Sequence, residues 1–441
     1  MTFARRPTSL AAVRAARAEI ARRLDARREE DLRPELVRRV LVLGAASRSG
    51  SSALHQALSA LPGVVSLHGE NGVFAALHGW TRTRAERDSD ALEAAPVSEP
   101  ALAQAAREVL RDAGLLRPAV QDAERLRAAF AADAAQRLLL QNPALAARVE
   151  TLCSCAQSAV GRARLDAGEF DAARFWRGLL ARLPRAAAPP WRRYDLSGRA
   201  TRGRDLGPPA AASPLLEEAP FVVARPRLPA RASDWPGLTL LLKSSSDSHR
   251  LPLVARMFPR ASVRLVVLAR NPAASISGLM DGWLSCAFHS RDVGGVSELS
   301  ISGYSRDDLP STRRWWKFDL PPGWARWTRL PLEEVCARQW LSANDALRRG
   351  ARALGWPTLE LRYEDLLRPG GFAVQVGRVA RFAGLVAESV HAPPPVMATA
   401  PPGSGKWRAR AAVLEPLLAR PEIADMSRAL GYDPARLRSW P

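Results

Sequence analysis

Four short clusters in the chain combine small residues, hydroxyls and a cation in a way that suits the binding of an anion. The first, Gly44-Ala-Ala-Ser47-Arg48-Ser49-Gly50-Ser51-Ser52, follows the apolar run Val40–Leu43 and leads into a stretch with helical spacing, Ala53–Leu61. Small residues let the backbone curl until successive N–H groups face one anion. The start of a helix adds partial positive charge, Arg48 adds a full one, and the serine hydroxyls donate. This is a phosphate cradle in kind. It is not a Walker A loop, because Gly44 and Gly50 stand one residue too far apart and Ser51 occupies the lysine position. The bland alternative for the same residues is a Ser/Gly turn before a helix. Two further clusters, Lys243-Ser-Ser-Ser246 and Arg270-Asn271-Pro272, each close an apolar run, and the second opens a helix through Ser275 and Ser277. The fourth, Gly403-Ser-Gly-Lys406-Trp407-Arg408, has the composition of a mobile loop with a cationic tip.

These clusters need a scaffold that brings them together. Apolar runs at Val40–Leu43, Val64–Leu67, Leu238–Leu242, Val263–Leu268 and Thr358–Leu361 read as strands, with helical segments between them. Such interleaving implies an α/β fold of three layers, with a central parallel sheet covered on both faces. Ligands of such sheets sit at the carboxyl ends of the strands, where the first three clusters lie. Residues 1–37 read as an N-terminal helical extension, and residues 38–441 as one α/β domain. That domain is interrupted over 81–235 by Ala/Arg/Leu helices separated by Pro-rich breaks at Ala186–Trp191, Gly207–Pro209 and Arg225–Pro229. No strand is expected inside this insertion.

The chain has 441 residues and a formal net charge of +20, with 61 Arg but only three Lys: Lys243, Lys317 and Lys406. The arginines are spread along the chain and are read first as solvated helix faces, although a basic excess also suits an anionic partner. Where lysine is this scarce, each one is a candidate for delivering a compact point charge that Arg cannot. Cys153, Cys155, Cys286 and Cys336 form neither a disulfide framework nor a metal-ligand spacing, and no metal is expected. No signal peptide and no apolar membrane span are evident, so a cytoplasmic location is expected.

Six motifs in order, Arg48-Ser-Gly-Ser-Ser52, Leu242-Lys243-Ser-Ser245, Phe258-Pro259, Val266–Pro272, Arg362-Tyr-Glu-Asp365 and Gly405-Lys-Trp407, resemble those of the PAPS-dependent sulfotransferases, over roughly residues 38–80 and 236–410. PAPS is 3′-phosphoadenosine-5′-phosphosulfate, and PAP is the nucleotide left after transfer. The resemblance implies a P-loop-like fold. It implies that Arg48, Ser49, Gly50, Ser51 and Ser52 hold the 5′-phosphosulfate, and that Arg270 with a following serine holds the 3′-phosphate. The family spacing falls on Gly278, so Ser277 is the candidate, with Ser275 as the other. Lys406, Trp407 and Arg408 match a loop that closes over the nucleotide, and Tyr363-Glu364-Asp365 a motif that either lies beside the adenine or is structural. Glu70 stands where relatives carry the catalytic base, with His68 on the opposite strand face as its competitor and His55, His78 and His249 as others. Lys243 and Arg48 would stabilise charge during transfer. The acceptor, a small molecule, lipid or carbohydrate, is not specified by the resemblance; Trp315, Trp316, Phe318 and Pro321–Trp324 either line an apolar acceptor cleft or pack a loop. An Arg-rich nucleic-acid binder and a P-loop kinase or ATPase are the competing classes. The chain lacks a helix-turn-helix, RNA-binding-sheet or zinc-finger signature, and no nucleic-acid partner is expected.

Overall fold

A computed structural model describes residues 8–92, 97–116, 122–165, 170–184, 214–218, 224–387, 392–393 and 405–440. The Pro-rich breaks at Ala186–Trp191 and Gly207–Pro209, and Gly403 and Ser404 of the fourth cluster, lie outside the described residues. The five expected strands are present: β1 (Arg39–Gly44), β2 (Val64–Ser66), β4 (Thr239–Lys243), β5 (Ser262–Ala269) and β8 (Thr358–Arg362). They form one parallel sheet that a further short strand, β3 (Gly114–Leu115), extends at its edge in the order β3-β2-β4-β1-β5-β8.

Strand β3 corrects the expectation of an insertion without strands. It pairs antiparallel with β2, Val65 opposite Leu115. Two residues between helices carry no periodicity, so only the tertiary pairing defines them.

Alternation along the strands builds two hydrophobic layers, one on each face of the sheet. Val40, Val42, Leu240, Leu242, Leu265 and Val267 face a core shared with the helices Leu10–Leu24, Leu251–Met257 and Leu332–Leu354. Leu41, Leu43, Leu241, Val266 and Leu268 face the opposite layer, formed by the helices Ser51–Leu58 and Gly371–Ala383. The first layer continues into the insertion, where the helices Glu99–Asp112, Ala123–Gln141, Val149–Gly161 and Ala172–Arg182 join the same core as Val13 and Ile20 of the N-terminal helix.

A third apolar cluster contains Trp283, Trp316, Trp324, Trp340 and Trp407. It supports a two-stranded ribbon of β6 (Arg291–Asp292) and β7 (Trp315–Trp316). The Trp316 indole donates to the Asp319 carbonyl at 2.9 Å, and that of Trp324 to the Asp88 carbonyl at 2.8 Å. Both rings are fully buried, which resolves these two tryptophans to packing. Among the described residues, no helix is long and apolar enough to cross a membrane.

Register aligns the chemistry. Leu43 lies opposite both Lys243 and Val266, so β1, β4 and β5 end at one rim of the sheet. The loops that follow them carry the first three clusters.

Candidate functional site

The loop after β1 turns sharply because Arg48 and Gly50 both take positive φ, 68° and 86°. The reversal ends at the helix Ser51–Leu58, which begins directly after Gly50. A Cβ at position 50 would run into the Tyr363 ring, so glycine is required there for space as well as conformation. The loop is anchored from outside by Ser47, whose hydroxyl donates to Asp319 Oδ1 at 3.0 Å.

At the end of β4, the Lys243 ammonium is almost buried and donates to Ser52 Oγ at 3.2 Å. It also forms a short ion pair with Glu70, whose other oxygen accepts the Ser245 amide at 3.4 Å. Glu70 is 35% exposed while Lys243 is 8% exposed, so the carboxylate opens toward solvent and the ammonium sits beneath it.

At the end of β5, Arg270 donates to the Arg48 carbonyl at 3.0 Å and lies over the Tyr363 ring at 5.0 Å. Burial, reinforced by the nearby Arg270 charge, pushes the Arg48 guanidinium down to about 10. Two cations forced together with little water make a site that gains by binding a multiply charged anion.

Arg48, Gly50, Ser51, Ser52, Glu70, Lys243, Arg270, Ser277, Lys406 and Trp407 all line a single cleft of about 400 Å³. Two of the expected site residues do not line it. Ser49 is buried behind the loop, and Arg408 turns away to lie over Trp407 and donate to the Trp440 carbonyl at 2.9 Å. Ser277 Oγ accepts from Arg410 at 2.8 Å, and Arg410 also pairs with Asp281 at 2.7 Å. Ser275 instead points its hydroxyl to the Arg270 carbonyl at 3.4 Å. Glu364 accepts the Asn271 amide at 2.9 Å and the Tyr432 hydroxyl at 2.6 Å, which gives that residue a structural role.

Of the histidines weighed against Glu70, three pair with carboxylates away from the cleft, and the Nε2 of His55 is buried. His68 Nε2 meets Asp133 at 3.0 Å in a buried network that includes Arg27, and burial depresses its pKa. His249 pairs with Asp319 at 3.2 Å, and His78 lies 3.6 Å from Glu108. His55 is held down to about 3 by burial and by the Lys243 charge. One histidine in the cleft wall was not foreseen: His289, also held to about 3 by burial and by Lys317, and set edge-on to Trp315. Sequence also gave no warning of Phe288, whose ring lies under the Arg48 guanidinium at 5.2 Å, or of Leu215–Glu218 from the insertion. These residues carry no motif, and only chain-distant packing places them in the cleft.

Cations gathered at the carboxyl rim of a parallel sheet, beside a glycine-dependent loop at a helix start, form an arrangement of the class that suits an anionic ligand. The sulfotransferase family model matches residues 40–294, more than half of the chain, and the protein belongs to that family. The matched span holds the loop at Arg48–Ser52, Glu70, Lys243 and Arg270. A comparison with curated proteins gave no match. Among solved structures, the sulfotransferase domain from the curacin biosynthetic pathway is 11% identical, covering 90% of this chain and 99% of that one at a TM-score of 0.34. The sulfotransferase STF1 from Mycobacterium tuberculosis H37Rv is 12% identical, covering 86% and 76% respectively at a TM-score of 0.34. These are distant likenesses, and the family assignment rests on the sequence match.

Proposed function

We propose that the protein moves the sulfuryl group of PAPS to a hydroxyl or amine of its acceptor by direct in-line transfer. One observation carries this reading: Arg48, Lys243 and Arg270, far apart in the chain, line one cleft together with a half-exposed carboxylate, Glu70. The donor's phosphates and sulfate need cations and N–H donors at both ends, and the chain supplies both. Ser51, Ser52 and the loop backbone would hold the 5′ end, and Arg270 with Ser277 and Arg410 the 3′-phosphate. Trp407, with Lys406 beside it at the cleft mouth, would cover the nucleotide.

In the transfer, the acceptor oxygen forms a bond to sulfur as the bond from sulfur to the bridging oxygen of the leaving phosphate breaks. Glu70 takes the acceptor proton. Lys243 and Arg48 stabilise the charge that collects on the sulfuryl and bridging oxygens, and PAP leaves with the electron pair. Positioning and electrostatics do most of this work, as in phosphoryl transfer. The reaction class is tested by incubating the protein with PAPS and fractionated metabolites, then searching for a mass gain of one sulfuryl group. Thermal shift with PAP, ATP and duplex DNA in parallel separates the competing classes, since selective binding raises apparent stability. Stabilisation by DNA or ATP and not by PAP would overturn the proposal.

Two substitutions probe the donor end. Arg270→Ala is expected to weaken PAP by roughly tenfold to a hundredfold, about 1.5–3 kcal/mol for a charged hydrogen bond. Titration of PAP checks it, and unchanged affinity would contradict the assignment. Gly278→Ser is expected to fold normally, because a Cβ there meets only ordinary contacts, 3.5 Å from Arg48 Cβ and 3.7 Å from Arg270 Nη1. Its hydroxyl is added beside the Arg270 cation and should tighten PAP by about 1 kcal/mol, roughly fivefold. The same titration reads this, and weaker binding would count against the placement.

A further inference from the structure

Of the four non-glycine residues with positive φ among the described residues, three line the cleft: Arg48, Phe288 (65°) and Phe318 (60°). A bulky side chain rarely adopts that conformation, and it persists only where the surroundings over-determine it. Here they do. Lys317, one of the three lysines and fully buried, donates to the Ser285 carbonyl at 3.0 Å and to that of Ala287. Glu218, from the helical insertion, accepts the amides of Phe288, at 2.8 Å, and His289. The two rings face each other with centroids 5.1 Å apart, and the Phe318 ring fills the space above Gly282. Packing and two buried charges thus hold an aromatic wall in a strained backbone.

The charges at this end of the cleft are already matched. Glu217 pairs with Arg137 and accepts from Gln141 at 3.0 Å. Asp90 pairs with Arg291 and accepts the Leu320 amide at 2.7 Å, while Arg250 donates to Asp247 at 3.1 Å. Glu218 spends its oxygens on the two amides and draws on the nearby Lys317 charge. A charged molecule entering here would lose its water and find each ionic group taken. The rest of the lining at this end carries no further charge. Val73, Ala76, Leu215, Leu216 and the two phenylalanines are apolar, and Thr81, Ser290 and the His289 imidazole, which burial holds neutral, are uncharged polar groups.

We propose that Leu215–Glu218, Phe288 and Phe318 form the acceptor subsite, and that it takes an uncharged hydroxyl compound with a flat apolar body; this rests on the sulfotransferase reading of the adjoining cationic end. The insertion is therefore part of the specificity apparatus, supplying one wall and the carboxylate that sets the other.

The test is isothermal titration of the whole protein with 2-naphthol, tyramine, 4-hydroxybenzoate and glucose, with and without saturating PAP. PAP is titrated alone first, and its failure to bind would count against the donor reading independently of the acceptor result. The expected result is that 2-naphthol binds at least tenfold more tightly than the cationic, anionic and sugar probes. Phe318→Ala should weaken 2-naphthol at least tenfold while leaving PAP affinity within twofold. Leu215→Asp should weaken 2-naphthol and shift preference toward tyramine. Equal or tighter binding of a charged probe or of glucose overturns the proposal, as does absence of 2-naphthol binding or indifference of that binding to both substitutions. The four-probe comparison on the unaltered protein decides the matter even where a variant fails to fold.

Discussion

Glu70→Gln is expected to lower turnover by two to three orders of magnitude, about 3–4 kcal/mol, while PAP binds with near-unchanged affinity. The amide keeps the size of the side chain and can still accept the Ser245 N–H. It cannot take a proton, and it no longer holds Lys243 by charge. Lys243→Ala should cost a similar factor by removing the cation that also reaches Ser52 at 3.2 Å. Single-turnover assays with labelled PAPS and the acceptor identified by mass check both. Near-normal turnover in either variant would remove that residue from the mechanism. Because the two side chains are in direct contact, the double variant should lose much less than the sum of the single losses.

The second large effect is on stability. Asp133→Ala should destabilise the protein by about 3–5 kcal/mol, measured by denaturant unfolding. Asp133 is buried between Arg27, at 3.0 Å, and His68, at 3.0 Å, and links the insertion to the segment after β2. Its loss leaves a buried guanidinium with Asp25 alone, at 2.8 Å, and a buried imidazole without its acceptor. Burial alone would raise the Asp133 pKa, but Arg27 and His68 outweigh it and hold the carboxyl below its ordinary range. Its contribution is therefore full above the unfolded value of about 4 and is lost as the pH falls through the lower folded value. A loss under about 1 kcal/mol, or an unchanged acid limb in the variant, would show that the network is incidental.

The central sheet was legible because buried parallel strands write themselves as apolar runs, and Val40–Leu43, Leu238–Leu242 and Val263–Leu268 did so. The tight turn at Arg48–Ser52 was legible too, since its positive φ selects glycine at position 50. Lys243 stood out through the near absence of lysine elsewhere. Lys317 was equally conspicuous, yet its partners are backbone carbonyls at Ser285 and Ala287, and a carbonyl has no sequence signature. For Ser277 the spacing led to a residue that lines the cleft, but Arg410, more than a hundred residues on, is what engages its hydroxyl. Phe288, His289 and Leu215–Glu218 were invisible for the same reason: long-range packing, and not local pattern, aims them. The two tryptophans Trp316 and Trp324 were ambiguous as letters and became unambiguous once their indole nitrogens had carbonyl partners.

The Tyr363 ring occupies the volume that any side chain at position 50 would need, and it lies beneath the Arg270 guanidinium. One rigid plate is thus shared by the turn proposed to hold one end of the donor and the cation proposed to hold the other. Neither grip can be reshaped alone. A variant chain that enlarged residue 50 would have to shrink residue 363, and in doing so would unseat residue 270, so under the proposed function the two ends of the donor site are coupled and change together.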